Sequence, residues 1–415
     1  MLAGGHTMET EKRDTILEKA DDASLEARAL AAERMGKKII RQGNKLELDP
    51  DSDTLYVHWQ ITSFCNWRCS YCLAAKNDSR SKKIMPDMSQ IETAIDNLAA
   101  ANRTHYRVAL LGGEPTTHPL LIKLILCLWA RLGKRLELVR ITTNGSFSDS
   151  QLDALRQIGR FMTICIDVSV HVEFASMERI KYLINRISAH TRLGFDVMLH
   201  PVYFDKVKGI VDELIKLRGD QPFSLRVSMI RRPPDFVYDD ERYTREHYDY
   251  VKQTFERYNE AAKTGAKYGG AQIENDRLTK WRFYLEWNDG GKWKYSEDIN
   301  HLQLEELTDS FRLKDMICFA GKNIVDILPN GLCRGVTCTQ YRHFANIYQY
   351  DPYIMSKLAY GMKCNAERCG ADPNHNAPKF LFEDEAEAFI EAKRKKQIEL
   401  TEEWLRQQEK KRGEE

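Results

Sequence analysis

The sequence predicts an α/β fold built on a parallel sheet. Three observations carry this. From residue 54 onward, short β-rich runs alternate with helical stretches. Each strand-to-strand interval holds one helix, and crossovers of that kind join parallel strands in the right-handed sense. The composition, 42% hydrophobic and 30% charged over 415 residues, is that of a globular protein of about two or three domains.

In order, the expected strands cover residues 54–61, 107–111, 136–142, 161–170, 194–200 and 223–230, with helices at 88–101, 120–132, 149–158, 174–190 and 207–217. Sites on such sheets form at the C-terminal strand ends, where the loops collect. This body spans 50–230. A helical N-terminal extension, 8–46, precedes it, with Ile16, Leu17, Leu25 and Leu30 at helical spacing. Residues 231–312 read as a bridge or insertion, with Pro233-Pro234, a helix at 244–264 and turns at Gly269-Gly270 and at Asn288 to Gly291. A small cysteine-bearing α+β unit follows at 313–376. A long C-terminal helix closes the chain at 377–415, with Ala386, Phe389, Ile390 and Trp404 near helical spacing.

Charge excludes several classes. Lys+Arg 62 against Asp+Glu 61 leaves +1, so no global field draws nucleic acid or an anionic membrane. The basic run Lys393 to Lys396 reads as a solvated helix face. The longest apolar stretch, 119–132, is interrupted by Lys123 and Arg131 and is shorter than the roughly 20 residues of a membrane span. The first residues are too polar for a secretory signal, and a cytoplasmic location is expected.

In a reducing compartment the 10 cysteines serve metals or catalysis more often than disulfides. Cys127 and Cys165 lie in apolar runs and read as buried small hydrophobes. The rest fall in two clusters.

The first is Cys65-Asn66-Trp67-Arg68-Cys69-Ser70-Tyr71-Cys72, directly after the first strand. Three thiolates on one loop can hold three irons of a 4Fe–4S cubane, leaving one iron open to a small chelate. A structural zinc site is the alternative, but zinc takes four closed ligands and no fourth Cys or His is nearby in sequence. The second strand ends in Leu111-Gly112-Gly113-Glu114-Pro115, where glycine permits close backbone approach and Glu114 offers a carboxylate to an ammonium.

These two segments resemble the cluster motif, Cys-x3-Cys-x-aromatic-Cys, and the Gly-Gly-Glu-Pro element of the radical S-adenosylmethionine (SAM) superfamily. Thr142-Thr143-Asn144-Gly145 resembles the family's Thr-Asn-Gly turn, and Asp167 to His171 the segment whose serine meets the SAM ribose. The resemblance covers about 54–230 and implies a partial (β/α)6 TIM-like barrel. It implies that Cys65, Cys69 and Cys72 hold a 4Fe–4S cluster, and that Gly112, Gly113, Glu114, Asn144 and Ser169 line the SAM site. Tyr71 then flanks the adenine. The implied chemistry is one-electron reduction of SAM to methionine and a 5′-deoxyadenosyl radical, which takes a hydrogen atom from a substrate.

The second cluster is Cys318, Cys333, Cys338, Cys364 and Cys369, around a strand–turn–strand pattern with Pro329-Asn330-Gly331 at the turn. The region resembles the SPASM or twitch auxiliary-cluster domains of radical SAM enzymes, with fewer cysteines than a full SPASM domain. One auxiliary 4Fe–4S cluster is implied, on Cys318, Cys364 and Cys369 plus Cys338 or Cys333. Cys338 is favoured because Cys333 lies within the hairpin. Zinc is the alternative.

The expected function is a radical SAM oxidoreductase or maturase. Its partners are a peptide, protein or small polar substrate and an electron donor such as flavodoxin or ferredoxin, with no membrane and no nucleic acid. His171, His200, Asp167 and Arg226, at strand ends, are candidates to line the substrate pocket. A non-catalytic iron–sulfur or zinc protein that binds a partner through its helices is the competing class. Glu114 discriminates the two, since a binding module needs no ammonium clamp.

Overall fold

The computed structural model describes residues 53–72, 83–187, 191–218, 223–230, 315–338, 345–365, 377–380 and 383–414. It also describes the two-residue strand Lys45–Leu46, the antiparallel strands Glu286–Asp289 and Lys292–Tyr295, His343 and scattered residues between 242 and 257.

Six strands and the five helices between them build the body as the alternation requires. They are β1 (Thr54–Thr62), α1 (Met88–Ala99), β2 (His105–Gly112), α2 (Leu121–Leu132), β3 (Leu136–Thr143), α3 (Asp149–Ile158), β4 (Ile164–Val170), α4 (Met177–Arg186), β5 (Thr191–Leu199), α5 (Phe204–Arg218) and β6 (Ser224–Met229). Every neighbouring pair from β1 to β6 is parallel. Side chains alternate across each strand. One face, with Trp59, Leu110, Ile141, Ile166 and Val197 fully buried, joins the helices in one continuous core. The other face is polar and forms the interior of an open, partial barrel.

Local chemistry sets the helix starts. Asp87 with Gln90 and Ser148 with Gln151 form reciprocal capping boxes on α1 and α3. Ser176 caps α4, so this helix begins later than its apolar spacing suggests; the amides of Phe174 and Ala175 both turn back to the His171 carbonyl. β4 likewise starts only at Ile164, because Phe161 and Met162 continue the turn off α3 through the Ile158 carbonyl.

The C-terminal cysteine region departs from the expected separate unit. Of its strands, β7 (Ile317–Ala320) belongs to a small sheet, but β8 (Ile324–Ile327) lies parallel against β1. It extends the barrel sheet with a seventh parallel strand. The hairpin partner β9 (Leu332–Arg334) and β10 (Ala345–Asn346) continue that sheet, giving the order β10-β9-β8-β1-β2-β3-β4-β5-β6. The reason is legible in burial: Val325 and Ile327 face the same core as β1 and are fully buried. Between Pro352 and Tyr360 the α-helix is one turn, Ile354–Lys357, before strand β11 (Tyr360–Lys363).

The small sheet is antiparallel, in the order Lys45–Leu46, β12 (Lys379–Phe380), β7, β11. The helical reading of 8–46 thus fails at its last two residues, and its remainder lies outside the described residues. α6 (Glu383–Glu414) packs Ala386 and Ile390 on this sheet and Trp404 on the barrel core. Gln397 Nε2 donates to the Ala101 carbonyl at 3.0 Å, and Asn102 Nδ2 to the Leu400 carbonyl at 3.2 Å. The helix therefore ties the small sheet to the barrel. Of the bridge at 231–312, the described residues between 245 and 257 are helical, and the expected turn at Asn288 to Gly291 falls between the two antiparallel strands, with Gly290 and Gly291 outside the described residues.

Candidate active site

The cysteine loop begins where β1 ends, and the end of β2 clasps it. Gly113 N donates to the Thr62 carbonyl and Glu114 N to the Phe64 carbonyl, both at 2.7 Å. Gly112 has φ +135°, and a Cβ there would lie 2.2 Å from the Thr62 oxygen. A Cβ on Gly113 would lie 2.1 Å from the Phe64 oxygen. Both glycines are therefore demanded by backbone approaching backbone, Gly112 at a point three residues and Gly113 at a point one residue before Cys65. The close contact expected with a ligand is, in this chain, first a contact with the cysteine loop's own stem.

Glu114 is 1% exposed. Its Oε1 accepts from Thr116 N (3.0 Å), Thr116 Oγ1 (2.7 Å) and Thr143 Oγ1 (2.6 Å). Its Oε2 accepts from Asn144 N at 2.7 Å. Burial raises the carboxyl above its usual range, and these donors oppose the shift. A carboxylate offers about four acceptor sites, and Oε2 keeps one for a further donor. The side chain thus joins the ends of β2 and β3 and still presents an acceptor.

Asn144 is more than a turn residue. Its Nδ2 donates to Asn66 Oδ1 at 2.9 Å, and Asn66 Nδ2 donates to Ser146 Oγ at 2.9 Å, so the β3 end holds the cysteine loop directly. The other side of the loop leans on β4 and β5. Ser70 N donates to Glu173 Oε2 at 2.9 Å, Trp67 stacks on Phe174, and Tyr71 Oη lies 2.8 Å from His171 Nδ1 with its ring against His200. Ser169 is half-buried on the inner face of β4, in register with Asp196 of β5.

The donor set of Cys65, Cys69 and Cys72 fits a cluster. The Cys69 thiol is pushed up to about 12, by burial first and then by Glu173, Cys72 and Cys65. Burial also raises Cys65, with Glu114 and Cys72 adding to it. The thiols sit in one another's field, so a cation there draws off their protons as it binds. Among the described residues no three His, Cys, Asp or Glu side chains converge as one metal ion requires. A cubane takes one thiolate per iron and needs no such convergence.

The other cysteines divide. Cys318 and Cys338 pack around Ala320, Val336 and Ala377 together with Tyr360 and Met362. β7 pairs Cys318 with Met362 of β11, and Cys364 N donates to the Met316 carbonyl at 2.8 Å. Alternation then puts Cys318 and Cys364 on one face as diagonal neighbours. Cys333 points away: it is fully buried in the barrel core, its Sγ 3.4 Å from the Ala345 carbonyl and its thiol raised to about 12 by burial. Cys369 lies outside the described residues. Cys127 packs against the core but is only partly buried. Cys165 is buried as expected, though on the barrel's inner face, where its Sγ donates to Asp167 Oδ1 at 3.5 Å.

On that inner face reading the sequence found Asp167 and Arg226 and missed their partners. Arg107 pairs with Glu137 at 2.8 Å, Arg140 with Asp167 at 3.3 Å, and Arg226 with Asp196 through Nε at 3.1 Å. Gly194 makes room for this layer: a Cβ there would be 2.6 Å from Ser224 Oγ and 2.9 Å from Asp167 Oδ1. Single charged residues inside apolar strands, as in Val139-Arg140-Ile141 and Phe195-Asp196-Val197, were the available signal.

A partial barrel with a three-thiol loop and a buried carboxylate at its strand ends fits an iron–sulfur cluster with one side open to a small ligand. Residues 59–227 match the family described as the Radical SAM superfamily. These residues form a radical SAM domain, of a family whose enzymes use a 4Fe–4S cluster and SAM. A GTP 3′,8-cyclase of Chlorobaculum tepidum is 34% identical over 125 residues, covering 30% of this chain and 36% of the relative. An S-adenosylmethionine-dependent nucleotide dehydratase of Psychrobacter lutiphocae is 26% identical over 176 residues, covering 39% and 57%. Among solved structures, anSMEcpe with bound AdoMet overlays with a TM-score of 0.46 at 15% identity, covering 71% of this chain and 78% of the other. The chain spans 36%, 51% and 43% of the length of three cyclase relatives. No helix of the described residues is long and apolar enough to cross a membrane.

Proposed function

We propose that this enzyme cleaves SAM at the Cys65–Cys69–Cys72 loop and uses the product to take a hydrogen atom from a small polar substrate held on the inner face of the barrel. The observation that carries the reading is the clasp of Gly112, Gly113 and Glu114 on the stem of the cysteine loop, which puts a buried acceptor beside three thiols. When bound, the cluster and SAM supply one electron and a 5′-deoxyadenosyl radical. The chain's own part is to hold the SAM ammonium at Glu114 Oε2, to place the adenosine along Tyr71, Asn144 and Ser169, and to keep water out.

The substrate reading favours a nucleotide over a peptide. Relatives named as a GTP cyclase and a nucleotide dehydratase support it, as does an inner face lined with Arg107, Arg140 and Arg226. Arginine side chains suit phosphate oxygens, and each here is already positioned by a carboxylate. An auxiliary 4Fe–4S cluster on Cys318, Cys338, Cys364 and Cys369 belongs to the same proposal, as do a flavodoxin- or ferredoxin-type donor and a cytoplasmic setting. The test is anaerobic incubation with SAM, dithionite and nucleoside triphosphates, GTP first. A nucleotide that raises 5′-deoxyadenosine formation and is itself consumed supports the reading. Nucleotides without effect, beside a peptide that does raise it, would return the substrate to the peptide class.

A further inference from the structure

Lysine is seldom buried unless something compensates its charge, and Lys379 is only 5% exposed. It lies on β12 in register with Cys318 of β7, while its neighbour Phe380 is in register with Ile317. Successive side chains of a strand point to opposite faces. Phe380 packs with Phe319, Ala386 and Ile390, on the face that α6 covers. Lys379 therefore shares the other face of the small sheet with Cys318. Residues directly opposite on antiparallel strands hold their Cβ atoms about 5 Å apart.

The same face carries more of the C-terminal cysteine set. Ala320, Val336 and Ala377 pack there with Cys318, Cys338, Tyr360 and Met362. Lys379 Nζ donates to the Ala377 carbonyl at 2.8 Å, so the amine is fastened to a residue of the group against which both thiols pack. A carbonyl supplies no net charge, and a buried cation is costly without negative charge near it. Arg334 of β9, also buried, finds that charge in Asp326 at 2.9 Å. On the face of Lys379, thiols become a source of it when they bind metal as thiolates. Four thiolates around a cubane leave the site net negative, and each added electron makes it more so, which is why nearby charge helps to set the potential.

We infer that the Lys379 ammonium is the built-in counter-charge of the C-terminal cluster site, where it favours the reduced cluster and raises its potential. This rests on the auxiliary cluster of the proposed function. Lys379 is a positioning residue that acts through the cluster. A raised potential favours a cluster that accepts an electron over one that gives it.

The test is a potentiometric titration with dithionite, read by electron paramagnetic resonance, in which one electron enters the cluster and no bond forms or breaks. The protein is the full chain with Cys65, Cys69 and Cys72 changed to Ala, reconstituted anaerobically so that only the C-terminal cluster is present. In Lys379→Met the ratio of oxidised to reduced cluster at a fixed potential should rise about tenfold, a fall of about 59 mV in midpoint for one electron. Lys379→Gln keeps a donor for the Ala377 carbonyl and should show the same fall; it carries the test if the methionine variant does not assemble. Lys379→Arg keeps the charge and should stay within about threefold of the parent ratio. Loss of iron in both neutral variants but not in Lys379→Arg would also support the counter-charge. A parent potential retained in Lys379→Met overturns the inference. So does an equal fall in Lys379→Arg, or loss of iron in all three variants. A background protein that binds no iron, or binds zinc in its place, would instead sink the auxiliary cluster, so the two failures are distinct.

Discussion

The two cysteine groups are held by opposite means. Cys65, Cys69 and Cys72 sit on a loop that has almost no secondary structure of its own. It is fixed from outside, by the Gly112–Glu114 clasp, the Asn144–Asn66 bond and the Glu173 carboxylate. Cys318 and Cys364 sit at paired strands, and their spacing is set by the β7–β11 register itself. A loop held by strand ends can present three thiols and leave one side open. Paired strands and a hairpin suit a closed set of ligands. The difference teaches where each site is fragile: the first at the residues that clasp it, the second at the strands that carry it.

The sharpest way to break the comparison is to remove thiols. Alanine at Cys65, Cys69 and Cys72 together should abolish 5′-deoxyadenosine formation while about four of about eight irons remain, as a separate auxiliary cubane predicts. Changing Cys364 and Cys318 should remove the other half and leave SAM cleavage measurable. Iron analysis beside product chromatography reads both.

Next in size are the glycines. Gly113→Ala drives a Cβ to 2.1 Å of the Phe64 carbonyl, backbone that cannot step aside, and Gly335→Ala drives one to 2.2 Å of Gly321 N. Each should cost about 3 kcal/mol or lose its site. Gly113→Ala should lose SAM binding with the C-terminal iron intact, and Gly335→Ala should do the reverse. Loss of both sites together in either variant would mean that the two regions are not independently held.

How much of this was legible in the sequence follows the same division. The first site could be read because its chemistry is concentrated in short segments: the cysteines, then Gly112-Gly113-Glu114, then Asn144 and Ser169. The six strands and five helices were legible from alternation, with errors at ends governed by turns, as at Ile158 to Met162 and His171 to Ser176. What could not be read was partnership at long range. Nothing local in Ile324 to Ile327 says that it pairs with β1, some 270 residues earlier. Nothing local in Cys165 says that it faces Asp167 rather than the helices, because apolar strands look alike on both faces. Cys333 and Cys338 separate only once β9 is seen to turn Cys333 into the core.

A smaller effect sharpens that last point. Cys333→Ala should leave iron content unchanged and cost about 1–2 kcal/mol from the cavity it opens in the core, read by denaturant unfolding. Loss of iron in this variant would exchange it with Cys338 as a ligand.

Smallest is a pH effect on the structure that follows the clasp. His118 is 1% exposed, its Nδ1 accepts from Leu120 N at 3.0 Å, and burial lowers its pKa. The unfolded chain therefore takes up this proton first as pH falls below about 6.5, so stability must decline with falling pH through that range. His118→Gln should flatten the decline in melting temperature between pH 7 and pH 5.5.

The central claim is that the clasped loop binds and cleaves SAM, and Glu114 tests it most directly. Its carboxylate joins two strand ends, and Oε2 keeps one acceptor, the one proposed for the SAM ammonium. Glu114→Gln removes the charge and keeps the shape. In the anaerobically reconstituted protein with dithionite, SAM affinity should fall about ten- to a hundredfold and 5′-deoxyadenosine formation with it, at an unchanged iron count. A variant that binds and cleaves SAM as the parent does would contradict the account, and leave Glu114 as the fastening of a turn.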